Sequence, residues 1–363
     1  MAATTVVGIH LERTGGTVIS GTRHDRGGLR LAPKSLDTFS WLQTSPEDAG
    51  RKVHELADFA ASLGSDPLYA MGVAGPGPFV SLRRSDPDFG QIHGTRSHPP
   101  LRGLNLHTIF EGALRKQSKS PKASIIIHTD AVACAIGEAI ARKTNPRSML
   151  AFIIIGDGIG LGVVRGRSPI RSALHPEIGL LEVRVHSDEG ASYPIKEYEK
   201  KKEDAPVSEQ SSYSVAQLAS NIAIRERCKR EDLTAREALE TLPQKSREYI
   251  LERRAYYLAQ MCLACTVMLA PHQIVLGEDD KFASEPDLAG RVWKHFRELL
   301  QARGQAEQPL FEYPELKEAS FISNSVVMEG VAPRQALGVT GAMGMMYAAL
   351  ASDAGDRTRP ELD

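Results

Sequence analysis

Ile125-Ile-Ile-His-Thr-Asp130-Ala-Val-Ala-Cys-Ala-Ile-Gly137-Glu138 reads as a buried strand running into a helix, with one carboxylate, Asp130, at the junction. A second apolar strand comes next and ends in a glycine-rich turn, Phe152-Ile-Ile-Ile-Gly156-Asp157-Gly158-Ile-Gly160. After it comes His175-Pro-Glu177-Ile-Gly179. An acid at a strand end, a turn open enough for a phosphate and a second acid together suit phosphoryl transfer to a hydroxyl.

Outward from this stretch, strands and helices alternate. Val6 to Leu11 and Gly15 to Thr22 read as strands on either side of a turn. Ser45-Pro46-Glu47-Asp48 is a helix start, with a capping hydroxyl, a proline in the first turn and early acids. Val53, Leu56, Phe59 and Ala60 then recur at helical spacing. Leu68 to Ala74 reads as a strand that ends in the rigid turn Gly75-Pro76-Gly77-Pro78, and Pro87 to Gly103 as an ordered loop. Helices are expected at Leu104 to Arg115, Asp130 to Arg142, Val215 to Arg225, Thr234 to Thr241, Ser246 to Leu269, Pro286 to Ala302 and Val339 to Leu350. A brief strand is expected at Ile274 to Leu276. Such alternation implies a largely parallel, covered sheet.

A chain of 363 residues exceeds the usual size of one core. We expect an N-terminal α/β domain over 1–145 and a C-terminal one over 146–351. The second should carry an exposed charged insertion at 195–212, with a disordered tail at 352–363.

Hydrophobic residues make up 42% and charged residues 25%, ordinary values for a globular protein. The net charge of −1 gives no global electrostatic case for nucleic acid or an anionic membrane. The N-terminus shows no secretory pattern, and the apolar run Tyr256 to Ala270 is shorter than the ~20 residues that span a bilayer. Cysteine is sparse: Cys134, Cys228, Cys262 and Cys265. This points to a reducing compartment, and so to the cytoplasm. Cys262-Leu-Ala-Cys265 has metal spacing but lies inside an apolar helix, so the thiols read as small hydrophobes.

These motifs, in this order, resemble the ROK (repressor, open reading frame, kinase) family, in particular its fructokinase-like branch. The loop Gly75-Pro76-Gly77-Pro78 with Pro87-Asp-Phe-Gly90 resembles that branch's substrate loop, and His175-Pro-Glu177 its His-Pro-Glu segment. The resemblance implies an α/β, two-domain, actin-like ATPase or sugar-kinase (ribonuclease H-like) fold with an interdomain cleft. It implies Asp130 as the general base, and Gly77, Pro78, His175 and Glu177 as sugar-binding residues. Thr14, Gly156, Asp157, Gly158, Gly160 and Gly277 would face the nucleotide. ATP and Mg²⁺ would be the cofactors and a small-molecule sugar the partner, with no nucleic acid and no membrane; a homodimer is compatible with this. Read alone, Asp130 fits a helix cap better than a catalytic base, and His175 is equally a loop residue.

The chain departs from the family pattern at several points. Val132 stands where the family has an amide. Leu180 replaces a His that helps to hold a structural zinc, and the matching cysteines are missing, so no zinc is expected. Without a gap the first phosphate loop aligns as His10-Leu-Glu12-Arg13-Thr14; a gap brings Gly15-Gly16-Thr17 into register instead. Asp157 replaces a threonine, and Gly277-Glu-Asp-Asp280 a run of glycines. Acidic side chains there either repel phosphate or hold the metal. Two readings therefore stay open. One is ATP-dependent phosphorylation of a fructose-like hexose. The other is a catalytically impaired protein that binds sugar or regulates.

Overall fold

A computed structural model describes residues 4–12, 15–24, 30–40, 45–63, 68–93, 101–117, 123–170, 177–189, 213–278, 288–302, 321–323 and 336–356. In chain order the described elements begin with β1 (Thr4–Leu11), β2 (Gly15–His24), β3 (Arg30–Ser40), α1 (Pro46–Ser62), β4 (Leu68–Gly75), α2 (Leu106–Lys116), β5 (Ser124–Thr129) and α3 (Asp130–Ala141). Then come β6 (Met149–Ile155), β7 (Ile159–Arg165), β8 (Ser168–Pro169), β9 (Glu182–Val183) and β10 (Tyr213–Ser214). The helices α4 (Val215–Ala219), α5 (Asn221–Cys228), α6 (Ala235–Glu240) and α7 (Gln244–Leu269) lead to β11 (Gln273–Glu278). Last are α8 (Leu288–Ala302), β12 (Phe321–Ser323) and α9 (Ala336–Asp356).

The chain divides into two compact units. Unit 1 holds Met1–Arg147, Gly162–His175 and Ser325–Asp363; unit 2 holds Ser148–Leu161 and Pro176–Asn324. The last helix therefore belongs with the first strands, although the sequence places it after the second half. The expected insertion at 195–212 lies outside the described residues. Helix α9 runs on to Asp356, beyond the expected end of order at Ser352.

Unit 1 is built on the sheet β3-β2-β1-β4-β5, with β1, β4 and β5 parallel and β2 and β3 antiparallel. Strand alternation sorts its residues between two cores. Val7, Ile9 and Leu11 join Met71, Val73, Ile125 and Ile127 under α1 and α2. The opposite parity, Val6 and Ala70, packs with Ala342, Met346 and Leu350 of α9. On that second face β1 and β4 also carry Gly8 and Gly72, where a Cβ would fall on the carbonyl oxygens of Ala342 and Met345. Helix α9 lies on α3 just as closely, through Gly344 against the Ala133 carbonyl. A helix backbone can rest on strand backbone only where side chains are missing.

Strand β3 was not anticipated. It contains Pro33, and the β2–β3 register shifts between Ser20 and Gly21, the position that faces Pro33. It is the edge strand, where a proline that cannot donate to the ladder is tolerated.

In unit 2, β11 runs parallel to β6 on one side and to β12 on the other. The long helix α7 is buried at Leu251, Arg254, Tyr257, Leu258, Met261, Cys262 and Cys265. The four cysteines are buried and unbridged. Burial raises the thiols of Cys262 and Cys265, the latter to about 12, so both pack as neutral hydrophobes.

The close approach of α9 gives a test by opposite signs. Gly344→Ala should destabilise the protein by ~2 kcal/mol, because a Cβ meets fixed backbone. Gly112→Ala on α2, where a Cβ would meet nothing within 4 Å, should instead stabilise it by up to ~1 kcal/mol. Chemical denaturation of the two variants checks both.

Candidate functional site

In unit 1 the C-terminal ends of β1, β4 and β5 come side by side, the usual position for a site in a parallel sheet. The register pairs Gly75 with Thr129, so the Gly75–Pro78 turn leaves the sheet beside the Thr129–Asp130 junction. The Gly77–Pro78 peptide is cis. Beyond it the chain folds back on itself: Val80 N donates to Gln91 O at 2.8 Å and His93 N to Pro78 O at 2.9 Å. Arg84 anchors this loop to β5 by donating to Ile125 O at 2.7 Å and Ser124 Oγ at 3.1 Å.

Asp130 does not cap α3. Thr129 is the N-cap, its hydroxyl accepting from Val132 N at 3.4 Å, and Asp130 is the first helical residue. Its half-buried carboxylate accepts from the Ala131 amide at 2.7 Å and joins no ion pair among the described residues. The helix start thus supplies amide and dipole stabilisation to a carboxylate that is not consumed by the fold. Gly162 packs on the same turn, where a Cβ would strike the Ala131 carbonyl.

At the end of β1, Gly16 pairs with Leu11 and Gly15 with Ser40 on the neighbouring strand, so both glycines sit on β2 rather than in the turn. Thr14, on the turn, lies outside the described residues, and so does His175. His10 is buried, with its Nδ1 3.4 Å from Glu12 Oε1.

Unit 2 holds the second group of residues. Gly156 N donates to Gly158 O at 2.9 Å, closing a tight turn between β6 and β7, and Asn221 N donates to Gly156 O at 2.8 Å. Gly160 lies one residue into β7. Asp157 is engaged by Arg225 of α5 in a two-pronged pair, with Nη1–Oδ1 2.8 Å and Nη2–Oδ2 3.1 Å; the side chains are 11% and 7% exposed for Arg225 and Asp157. Next to the turn, Gly277 and Glu278 of β11 pair with Ile154 and Ile155. Arg254, fully buried, donates to Glu278 Oε1 at 2.9 Å, Asn221 Oδ1 at 2.7 Å and Ala219 O at 3.0 Å. Asp157 and Glu278 are each matched by an arginine, while Asp279 and Asp280 lie outside the described residues.

Glu177 is exposed and opens the short turn Ile178–Leu180. Gly179 passes so near the Ile159 carbonyl that a Cβ would lie 2.6 Å from its oxygen, which brings this segment to the start of β7. The stretch from His186 to Glu189 is held by a clamp that sequence reasoning missed. Glu189, 2% exposed, takes Arg227 Nη1 at 2.9 Å and the Tyr257 hydroxyl. Burial and the neighbouring Glu189 push the Tyr257 phenol up, so it stays a donor. Asp188 takes Arg253 Nη2 at 2.6 Å, and Tyr257 also accepts from His186 N at 3.1 Å. Among the described residues no group of three or more His, Cys, Asp or Glu side chains could hold a metal ion.

A profile of the ROK family matches residues 43–320. The chain belongs to the ROK family. A fructokinase-named protein of Bacillus subtilis (strain 168) is 28% identical over 211 residues, which is 58% of this chain and 60% of that protein. The chain thus aligns with less than two thirds of this relative's length. A fructokinase of Zymomonas mobilis is 26% identical over 234 residues, 64% of this chain and 68% of that one. The ROK hexokinase of Thermus thermophilus superposes with a TM-score of 0.62 at 18% identity, covering 97% of this chain and 100% of that one. A ROK glucokinase of Streptomyces griseus, solved with glucose and AMPPNP, gives 0.58 at 16% identity, covering 96% and 99%. The fold is therefore that of the ROK sugar kinases, the actin-like ATPase fold. No described helix is long and apolar enough to cross a membrane.

The buried Arg254 can be tested. Arg254→Met leaves Glu278 and Asn221 without their cation and should cost ~3–5 kcal/mol. Adding Glu278→Gln should recover part of that loss. Urea denaturation of the single and double variants checks both.

Proposed function

We propose that this ROK protein phosphorylates a hexose hydroxyl with ATP, and that Asp130 is the general base. The observation that carries the reading is that Thr129 caps α3 while Asp130 joins no ion pair among the described residues. A carboxylate held in this way keeps one oxygen free of any ion pair among the described residues, in position to receive a proton. In the reaction the hexose O–H gives its proton to Asp130 as the oxygen bonds the γ-phosphorus, and the bond to the bridging oxygen breaks to release ADP. Gly77, Pro78, His175 and Glu177 would contact the sugar. Gly156, Gly158, Gly160, Gly277 and Thr14 would line the path of the nucleotide. The fructokinase-named relatives make a fructose-like hexose the first substrate to try.

Mg²⁺ would supply charge neutralisation on the phosphates when bound. Asp157 or Glu12 would be the acid to help hold it; Asp157 does not fit well, because both its oxygens are met by the Arg225 guanidinium.

A second reading is sugar binding or regulation without turnover. It is favoured by the pairing of Asp157 with Arg225, which leaves the phosphate turn without net positive charge.

Asp130→Asn should lower hexose phosphorylation by ~10²–10⁴-fold, with an unchanged melting temperature because Thr129 retains the cap. Coupled-assay turnover and thermal melts read the two quantities. Full turnover in the variant would remove Asp130 from the chemistry. A wild type that binds a hexose by calorimetry yet transfers no phosphate would establish the second reading.

A further inference from the structure

We infer that Asp157 acts as a resident anion on the Gly156–Gly158 turn and withholds Arg225 from phosphate, so that this pair sets the protein's affinity for a phosphoryl donor. The inference rests on reading Gly156–Gly160 as the phosphate-facing turn. It goes further in naming a cation, Arg225, that the turn itself does not supply.

The turn carries no side chain at Gly156 or Gly158, so Asp157 supplies its charge, and Asn221 at the start of α5 donates its amide to Gly156 O at 2.8 Å. That bond fixes α5 against the turn and brings Arg225, one helical turn further on, within reach of Asp157. The guanidinium then meets the carboxylate through two nitrogens at 2.8 and 3.1 Å, the fork geometry that arginine also offers to phosphate.

Both side chains are nearly buried, at 11% and 7% exposure. A phosphate that took Arg225 would leave the Asp157 carboxylate desolvated, without its guanidinium and beside a second anion. The incoming anion must therefore displace a bound one rather than fill a waiting site. Glu278, whose charge is met by Arg254, supplies no cation in exchange.

The probe is inorganic tripolyphosphate without Mg²⁺, titrated calorimetrically into the full chain. Asp157→Asn keeps the side chain's shape and removes its charge; it should tighten tripolyphosphate by about tenfold or more, since a like charge is lost and a cation released. The double variant Asp157→Asn/Arg225→Met should fall back to the wild-type value. No tightening in a folded Asp157→Asn, or tightening that survives in the double variant, overturns the inference.

Arg225→Met alone supplies an independent reading if the asparagine variant does not fold. A withheld arginine predicts weak wild-type binding that does not weaken tenfold in this variant. Tight wild-type binding lost in Arg225→Met would show that Arg225 already serves phosphate. No sugar and no turnover enter these measurements. Failure of the hexose-kinase reading, seen in the Asp130→Asn assay, is thus separable from failure of this one.

Discussion

Unit 1 depends on one constraint: the last helix must lie on the first strands with backbone against backbone. Gly8 and Gly72 on the sheet, and Gly344 on α9 against α3, are the positions where a single extra carbon would meet a carbonyl oxygen. The packing holds α3 between α9 and Gly162, and α3 is the element that carries Asp130 at its start. The placing of the acid thus follows from residues more than two hundred positions away along the chain. Interiors this dense transmit even small changes in volume. A side chain at Gly344 would press directly on the Ala133 carbonyl, in the first turn of the helix that begins with Asp130.

Unit 2 rests on a different principle, the matching of charges at the ends of β6 and β11 and on the turn at 187–189. Arg225, Arg227, Arg253 and Arg254 lie on two helices and meet Asp157, Glu189, Asp188 and Glu278. The asymmetry between the units is physical. In unit 1 the acid of interest is held by an amide; in unit 2 each of these four acids has a guanidinium. A general base needs its lone pair free. A structural carboxylate at 2% exposure, such as Glu189, has to be paired.

Much of this could be read before the structure. The strand–helix junction at Asp130, the Gly156 turn and the helix start at Ser45 are encoded locally, by period and by capping chemistry, and they lie where expected. What could not be read is long-range. Strand β3 is obscured by Pro33, which is tolerated only because the strand is at the edge, and edge position is not a local property. The single helix expected over Val215 to Arg225 is broken at Ser220, which serves at once as the end of α4 and the cap of α5. The arginine that meets Asp157 could not be read locally because it stands 68 positions away. One signal was available. Arg254, Leu258, Met261 and Cys265 fall on one helical stripe, and an arginine in register with three buried apolar residues needs an internal acid.

The Asp157–Arg225 pair cannot be explained by stability alone. Buried ion pairs recover little more than the cost of desolvating them, and apolar or neutral polar substitutes of similar size often serve as well. Arg254 differs, since it also satisfies the Ala219 carbonyl and the Asn221 side chain and so ties α7 to the start of α5. The Arg225 guanidinium instead directs two of its nitrogens to one carboxylate at the tip of one turn. A threonine there would leave the turn neutral and would not call for an arginine. With the Asn221 amide on Gly156 O, the pair fixes α5 to the turn at two points, so the charge at the turn and the placing of the helix are set together.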